Sequence, residues 1–240
     1  MFLNDIRKQL TENERCRIVF LGDSLTSAEW IHPNWRDIIE YVLKEELSNE
    51  FEKWEIPLWG IKCINSGFNG STTKNWVERL EKDVIEYAPD LVICMGTDND
   101  KYFNISPEEH KENLLTILTR LRSKVQNVVF CTSIPANNAE YLTRYLPYYQ
   151  KAKSIFPYKE VLFIDMLEEF KLYDLDSFFT LRSRGNEDVG IKEGDIDYVH
   201  PNQKGNAYIA KIILDKVFGL KFDPEKYMRS ITENYMFPLY

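Results

Sequence analysis

The sequence predicts an α/β domain built on a five-stranded parallel sheet covered by helices on both faces. Two observations predict it. Five short apolar, β-branched runs recur at wide spacing along the 240 residues, at 17–21, 61–65, 91–95, 128–132 and 161–165. Each is near-continuously apolar, as strands buried on both faces are. Helical periodicity fills the stretches between them, and strands alternating with helices give a parallel sheet. Ligands of such sheets bind beyond the carboxyl ends of the strands, so site residues are expected just after strands rather than before them.

The helical stretches come in order along the chain. Trp35, Ile38, Ile39, Val42, Leu43 and Leu47 have the three-four-seven spacing of one buried helix face. Trp76, Leu80 and Val84 form a second stripe. The third helix starts most clearly, with Ser106 as N-cap, Pro107 in the first helical position and Glu109 completing a capping box; its stripe is Leu114, Leu118 and Leu121. A fourth is expected over 139–155, broken near Pro147, and a fifth over 203–218. A short helix is expected before the first strand. An aromatic-rich tail, 222–240, is expected to pack back on the domain or onto a second subunit. No repeat or linker interrupts the chain, so residues 1–240 read as a single domain.

Composition narrows the partners. Hydrophobic residues make up 44% and charged residues 28%, a globular balance. The formal net charge of −8, with no basic run, repels phosphate backbones and argues against nucleic acid. No stretch approaches the ~18 apolar residues of a membrane span. Charges interrupt the first ten residues before an apolar signal core forms, and Cys16, Cys63, Cys94 and Cys131 read as free thiols, so a cytoplasmic location is expected. The cysteines lack C-x-x-C spacing, so neither zinc nor another metal is expected, and no cofactor is expected either. Monomer and homodimer both stay open.

Four segments carry chemistry. The first run ends in Gly22-Asp23-Ser24, a serine just past a buried strand. Read alone, a serine capping the next helix is the better reading. The second run leads to Gly70, whose bare backbone N–H could approach a ligand or simply serve a turn. The third leads to Gly96-Thr97-Asp98-Asn99-Asp100, where a side-chain amide could donate to a developing oxyanion or cap the next turn of chain. The last is Asp197-Tyr198-Val199-His200-Pro201. Its three-residue spacing lets a carboxylate meet one imidazole nitrogen and leaves the other as proton acceptor. Together these supply a nucleophile, a base, an orienting acid and two types of oxyanion donor.

In that order the blocks resemble the SGNH, or GDSL-like, hydrolase family, whose pattern runs GDS, a glycine, GxND and DxxH. The matched positions span Leu21 to Pro201. The resemblance implies a three-layer α/β/α sandwich with a flavodoxin-like sheet and metal-free hydrolysis of acyl esters or thioesters. It implies Ser24, His200 and Asp197 as triad, with the Ser24 and Gly70 N–H groups and a third-block amide as oxyanion hole. The third block departs from the pattern by reading Thr-Asp-Asn-Asp. Asn99 is expected to be the donor, with Asp98 as the alternative, because an ionised Asp98 cannot donate.

Other residues weigh less. Asp23, Trp30 and His32 are expected near the substrate. His110 is expected to be solvated, and Asp195 is a weaker substitute for Asp197. Arg182 and Arg184 lie in a long polar stretch, 176–194, that reads as a solvated loop, with a lid or binding loop as the other reading. The expected activity is serine-dependent hydrolysis of a small acyl ester, such as acetyl on a sugar or other small alcohol. An acyltransferase with the same triad, a thioesterase or lysophospholipase, and an inactive carbohydrate-binding member stay open. A flavin or nucleotide module is disfavoured because no G-x-G-x-x-G or G-x-x-x-x-G-K-[ST] motif follows a strand.

Overall fold

The structure, a computed structural model, describes residues 2–27, 29–186 and 190–240, without the side chain of Asn186. Its five-stranded sheet is parallel throughout, in the order β2-β1-β3-β4-β5. The strands are β1 (Cys16–Gly22), β2 (Ile61–Gly67), β3 (Leu91–Met95), β4 (Asn127–Cys131) and β5 (Leu162–Ile164). They coincide with the five apolar runs to within two residues at each end. The longer helices are α1 (Leu3–Asn13), α2 (Trp35–Ser48), α4 (Thr73–Asp83), α5 (Pro107–Arg122), α6 (Ala139–Lys153), α8 (Gln203–Ile213) and α9 (Pro224–Thr232). Short helices α3 (Glu55–Gly60) and α7 (Met166–Glu169) complete the set among the described residues.

Alternating side chains divide the sheet between two cores, as the pleat requires. Ile18, Phe20, Ile93 and Val129 pack with α1, α2 and α8. Val19, Leu21, Val92 and Phe130 pack with α4 and α5 through Trp76, Leu80, Leu114 and Leu118. Helices on both faces of a parallel sheet make the expected three layers. The chain turns outward from β1 to β2 on one side and resumes at β3 on the other. The carboxyl ends of β1 and β3 therefore flank the crevice where this architecture binds ligands.

Several local expectations are corrected. Helix α6 runs unbroken through Pro147, because Tyr141, Tyr145, Tyr149 and Ala152 bury one continuous face and that packing outweighs one lost backbone hydrogen bond. Ser106 does cap α5 by accepting the Glu109 N–H at 3.1 Å, but the reciprocal side-chain half of the box does not form. From within the polar stretch 176–194 and running two residues past it, an antiparallel pair forms, β6 (Arg182–Asn186) with β7 (Ile191–Ile196), while residues 187–189 lie outside the described ones. The fifth expected helix is α8, continued over Leu214–Phe218 as a π-helical turn. The tail packs back: the Tyr41 hydroxyl donates to the Pro238 carbonyl at 2.9 Å and the Tyr240 hydroxyl to Glu46 at 2.9 Å. Among the described residues no helix is long and apolar enough to cross a membrane.

Candidate active site

Ser24 sits two residues beyond β1 in a tight turn. The Asp23 carbonyl accepts the N–H groups of Thr26 at 3.1 Å and Ser27 at 2.9 Å, which curls the chain around the serine. Arg79 on α4 braces the turn by donating to the Gly22 carbonyl at 2.9 Å and to the Ser66 carbonyl at 2.8 Å, tying the ends of β1 and β2 together. Burial lowers the Arg79 pKa, while Asp83 at 3.3 Å pulls it back.

Residues 176 positions apart meet at this turn. The Ser24 Oγ lies 2.9 Å from His200 Nε2, and His200 Nδ1 lies 2.8 Å from Asp197 Oδ2. The second carboxylate oxygen, Asp197 Oδ1, accepts the backbone N–H groups of Val199 at 2.8 Å and His200 at 2.9 Å. Burial works to raise the Asp197 pKa, but His200 and these two N–H groups outweigh it and hold the carboxyl below its usual range. An ionised carboxylate only accepts, so the imidazole proton belongs on Nδ1 and Nε2 is free to accept from the serine. Ser24 is 8% exposed, and Asp197 and His200 are 4% exposed each. The Trp30 ring stacks on the imidazole at a centroid distance of 4.1 Å and an interplanar angle of 10°.

The donors expected for an oxyanion come from three loops. Among the described residues the backbone N–H groups of Ser24 and Gly70 meet no protein acceptor. Gly70 holds φ at +68°, a conformation glycine adopts without strain. In the third block the two candidates point to different partners. Asp98 is buried: its carboxylate accepts from the Tyr141 hydroxyl and lies 3.4 Å from Lys101 Nζ. Burial alone would raise its pKa, but Lys101 and Tyr141 hold it low, so Asp98 is an anion with no hydrogen to give. Asn99 instead donates one amide hydrogen to the Ser71 carbonyl at 3.2 Å, beside Gly70, and an amide carries a second.

Of the residues expected near the substrate, Trp30 lies against the imidazole. The His32 side chain is 62% exposed, with Nδ1 3.5 Å from Asp37. Asp23 is corrected outright. It is fully buried, and its two oxygens accept the N–H groups of Leu25 and Thr97, each at 3.0 Å. Asp23 thus ties the end of β1 to the end of β3. Only glycine fits at position 96, because a Cβ there would lie 2.3 Å from Asp23 Oδ2 and φ is +124°. Asp195 is exposed and accepts the Lys192 N–H at 3.2 Å, which removes it as orienting acid. Arg182 and Arg184 are exposed on β6, Arg182 donating to the Gly194 carbonyl at 2.8 Å.

The largest correction is His110. It is fully buried, with Nδ1 2.8 Å from Asp100 Oδ2. The buried Lys101, 3.6 Å from the Tyr141 ring centroid, is a second feature the sequence did not disclose. Neither carried a local signal, since both depend on side chains brought in from other elements of the fold.

Burial, with the Asp98 carboxylate adding to it, pushes the Asp23 pKa up to about 8. The folded chain therefore holds this proton more tightly than the unfolded chain, whose aspartates titrate near ~4. That contribution to stability is whole below about pH 4 and declines as pH rises toward about 8. Thermal unfolding between pH 5 and pH 9 is expected to show that decline, and Asp23→Asn is expected to flatten it; an equal slope in the variant would assign the decline to other groups.

A serine, an imidazole and a carboxylate in hydrogen-bonded series at the carboxyl edge of a parallel sheet define a hydrolase-type site. The chain belongs to the GDSL-like Lipase/Acylhydrolase family, whose sequence model matches residues 20–208. Its general activity is ester hydrolysis. An acetylxylan esterase from Geobacillus stearothermophilus is 22% identical over 222 residues, covering 84% of this chain and 93% of that protein. The crystal structure of the lipase/acylhydrolase from Enterococcus faecalis matches with a TM-score of 0.64 at 22% identity, over 85% of this chain and 96% of that one. A catalytic mutant of the Geobacillus acetylxylan esterase matches with a TM-score of 0.61 at 19% identity, over 83% and 93%. At these identities the solved structures speak for the fold.

Proposed function

We propose that the chain is a serine esterase that removes a small acyl group, acetyl first among them, from a sugar or other small alcohol. The observation that carries this reading is the series Ser24–His200–Asp197, at 2.9 Å and 2.8 Å. His200 Nε2 takes the proton from Ser24 as its oxygen attacks the ester carbonyl. Asp197 holds the Nδ1–H tautomer and stabilises the imidazolium that forms. The Ser24 and Gly70 N–H groups and the Asn99 amide receive the oxyanion. His200 then gives the proton to the departing alkoxide, and water repeats the sequence on the acyl-enzyme.

The small acyl group is supported by the enclosure of Ser24 and His200 under Trp30 and by the activity named for the Geobacillus relative. Initial rates on p-nitrophenyl acetate and p-nitrophenyl octanoate test it. A kcat/KM at least about tenfold higher for acetate is expected, since each methylene a pocket cannot seat forfeits roughly 1–3 kcal/mol of binding. A preference for octanoate would replace this reading with a long-chain lipase or lysophospholipase.

A further inference from the structure

We propose that His110 is a positioning residue for the oxyanion hole, acting through Asp100 and Thr73. The proposal rests on the esterase reading above, which assigns Gly70 and Asn99 to that hole.

The geometry forms one buried clamp between two loops. Asp100, in the loop after β3, accepts the Thr73 N–H at 2.8 Å on Oδ1 and the Thr73 hydroxyl at 2.5 Å on Oδ2. Its neighbour Asn99 donates to the Ser71 carbonyl at 3.2 Å. Consecutive residues of the third block therefore grip Ser71 and Thr73 of the second, immediately beyond Gly70. His110 reaches the same carboxylate from α5, with Nδ1 2.8 Å from Oδ2, and Asn113 one turn later donates to the Thr73 hydroxyl oxygen at 3.0 Å. Thr73, Asp100 and His110 are all fully buried.

This arrangement sets which imidazole nitrogen faces Asp100. The Asp100 carboxylate, already accepting from the Thr73 N–H and hydroxyl, has no hydrogen to give, so Nδ1 is the donor of this pair. Among the described residues Nε2 is buried with no hydrogen-bond partner, and the Tyr148 ring stands edge-on to the imidazole at 5.5 Å. His110 touches neither Ser24 nor the expected place of the substrate. What it does is hold Asp100 in the rotamer that serves Thr73, and hence hold the Gly70 N–H and the Asn99 amide at a fixed separation. A donor displaced by ~1 Å loses about a hundredfold in rate without weakening substrate binding in proportion.

The test compares kcat and KM on p-nitrophenyl acetate for wild type, His110→Leu and His110→Asn, each checked for cooperative thermal unfolding, with hydrogen exchange followed at amides 68–75. His110→Leu removes the donor; His110→Asn puts an amide N–H where Nδ1–H stood. Expected are a kcat about ten- to a hundredfold lower for His110→Leu with KM within about threefold, recovery of most of that loss in His110→Asn, and faster exchange at 68–75 in the leucine variant alone. A folded His110→Leu with wild-type kcat, or equal losses in both variants, would overturn the proposal. If wild type hydrolyses no ester, the functional reading fails separately. The clamp is then judged by exchange: unchanged protection at 68–75 in His110→Leu overturns it, and selective loss there, restored by asparagine, supports it.

Discussion

Replacing Ser24 with alanine is expected to lower kcat on p-nitrophenyl acetate by about four to six orders of magnitude, with the fold intact. The size reflects what the hydroxyl does. It is the attacking atom, it lies 2.9 Å from the base, and no second serine is hydrogen-bonded to His200 among the described residues. Ser27 is buried and donates to the Ser24 carbonyl at 3.3 Å, turned away from the imidazole. The substitution removes one oxygen and leaves the Asp23 turn bonds in place, so the unfolding temperature is expected to stay near that of wild type. His200→Ala should fall by a similar factor, and the double variant little further, because the two residues act as one unit. Steady-state rates with purified variants check this. A Ser24→Ala protein that keeps substantial activity would remove the serine from the chemistry.

Asp197→Asn is expected to lower kcat by about 10³–10⁴-fold while barely changing KM or stability. The two backbone N–H groups on Asp197 Oδ1 decide how the asparagine sits. Its carbonyl oxygen must face them, which turns its NH₂ group toward His200 Nδ1. A donor there forces Nδ1 to become the acceptor and moves the imidazole proton to Nε2, which can then no longer take the serine hydrogen. The loop keeps its hydrogen bonds and the ring its place under Trp30. Kinetics paired with the NMR resonance of the His200 ring proton test this: the proton is expected on Nδ1 in wild type and on Nε2 in the variant. Unchanged turnover in Asp197→Asn would show that the carboxylate does not set the tautomer.

The fold was legible where burial speaks through local pattern. Residues 91–95 read as a strand, and β3 occupies those residues, because every side chain there is buried and apolar. The Asp197–His200 pair was legible because its geometry is local: a three-residue spacing places both groups in one turn. The rest depends on tertiary contacts. Hairpin β6–β7 escaped because Arg-Ser-Arg-Gly-Asn carries no apolar alternation. His110 looked solvated because its neighbours in sequence are charged, and only the packing of α5 against the loop after β3 puts it on Asp100. Pro147 looked like a helix break because the tyrosines that hold α6 together pack against groups such as the Ser133 N–H, which the Tyr145 hydroxyl accepts at 3.2 Å.

The most direct test of the serine mechanism is the site of covalent attack. Wild type, Ser24→Ala and His200→Ala would each be exposed to a fluorophosphonate and examined by intact mass and peptide mapping. A single adduct on Ser24 is predicted in wild type, none in Ser24→Ala, and labelling at least about a thousandfold slower in His200→Ala. An adduct on another residue, or equal labelling of wild type and Ser24→Ala, would contradict that mechanism.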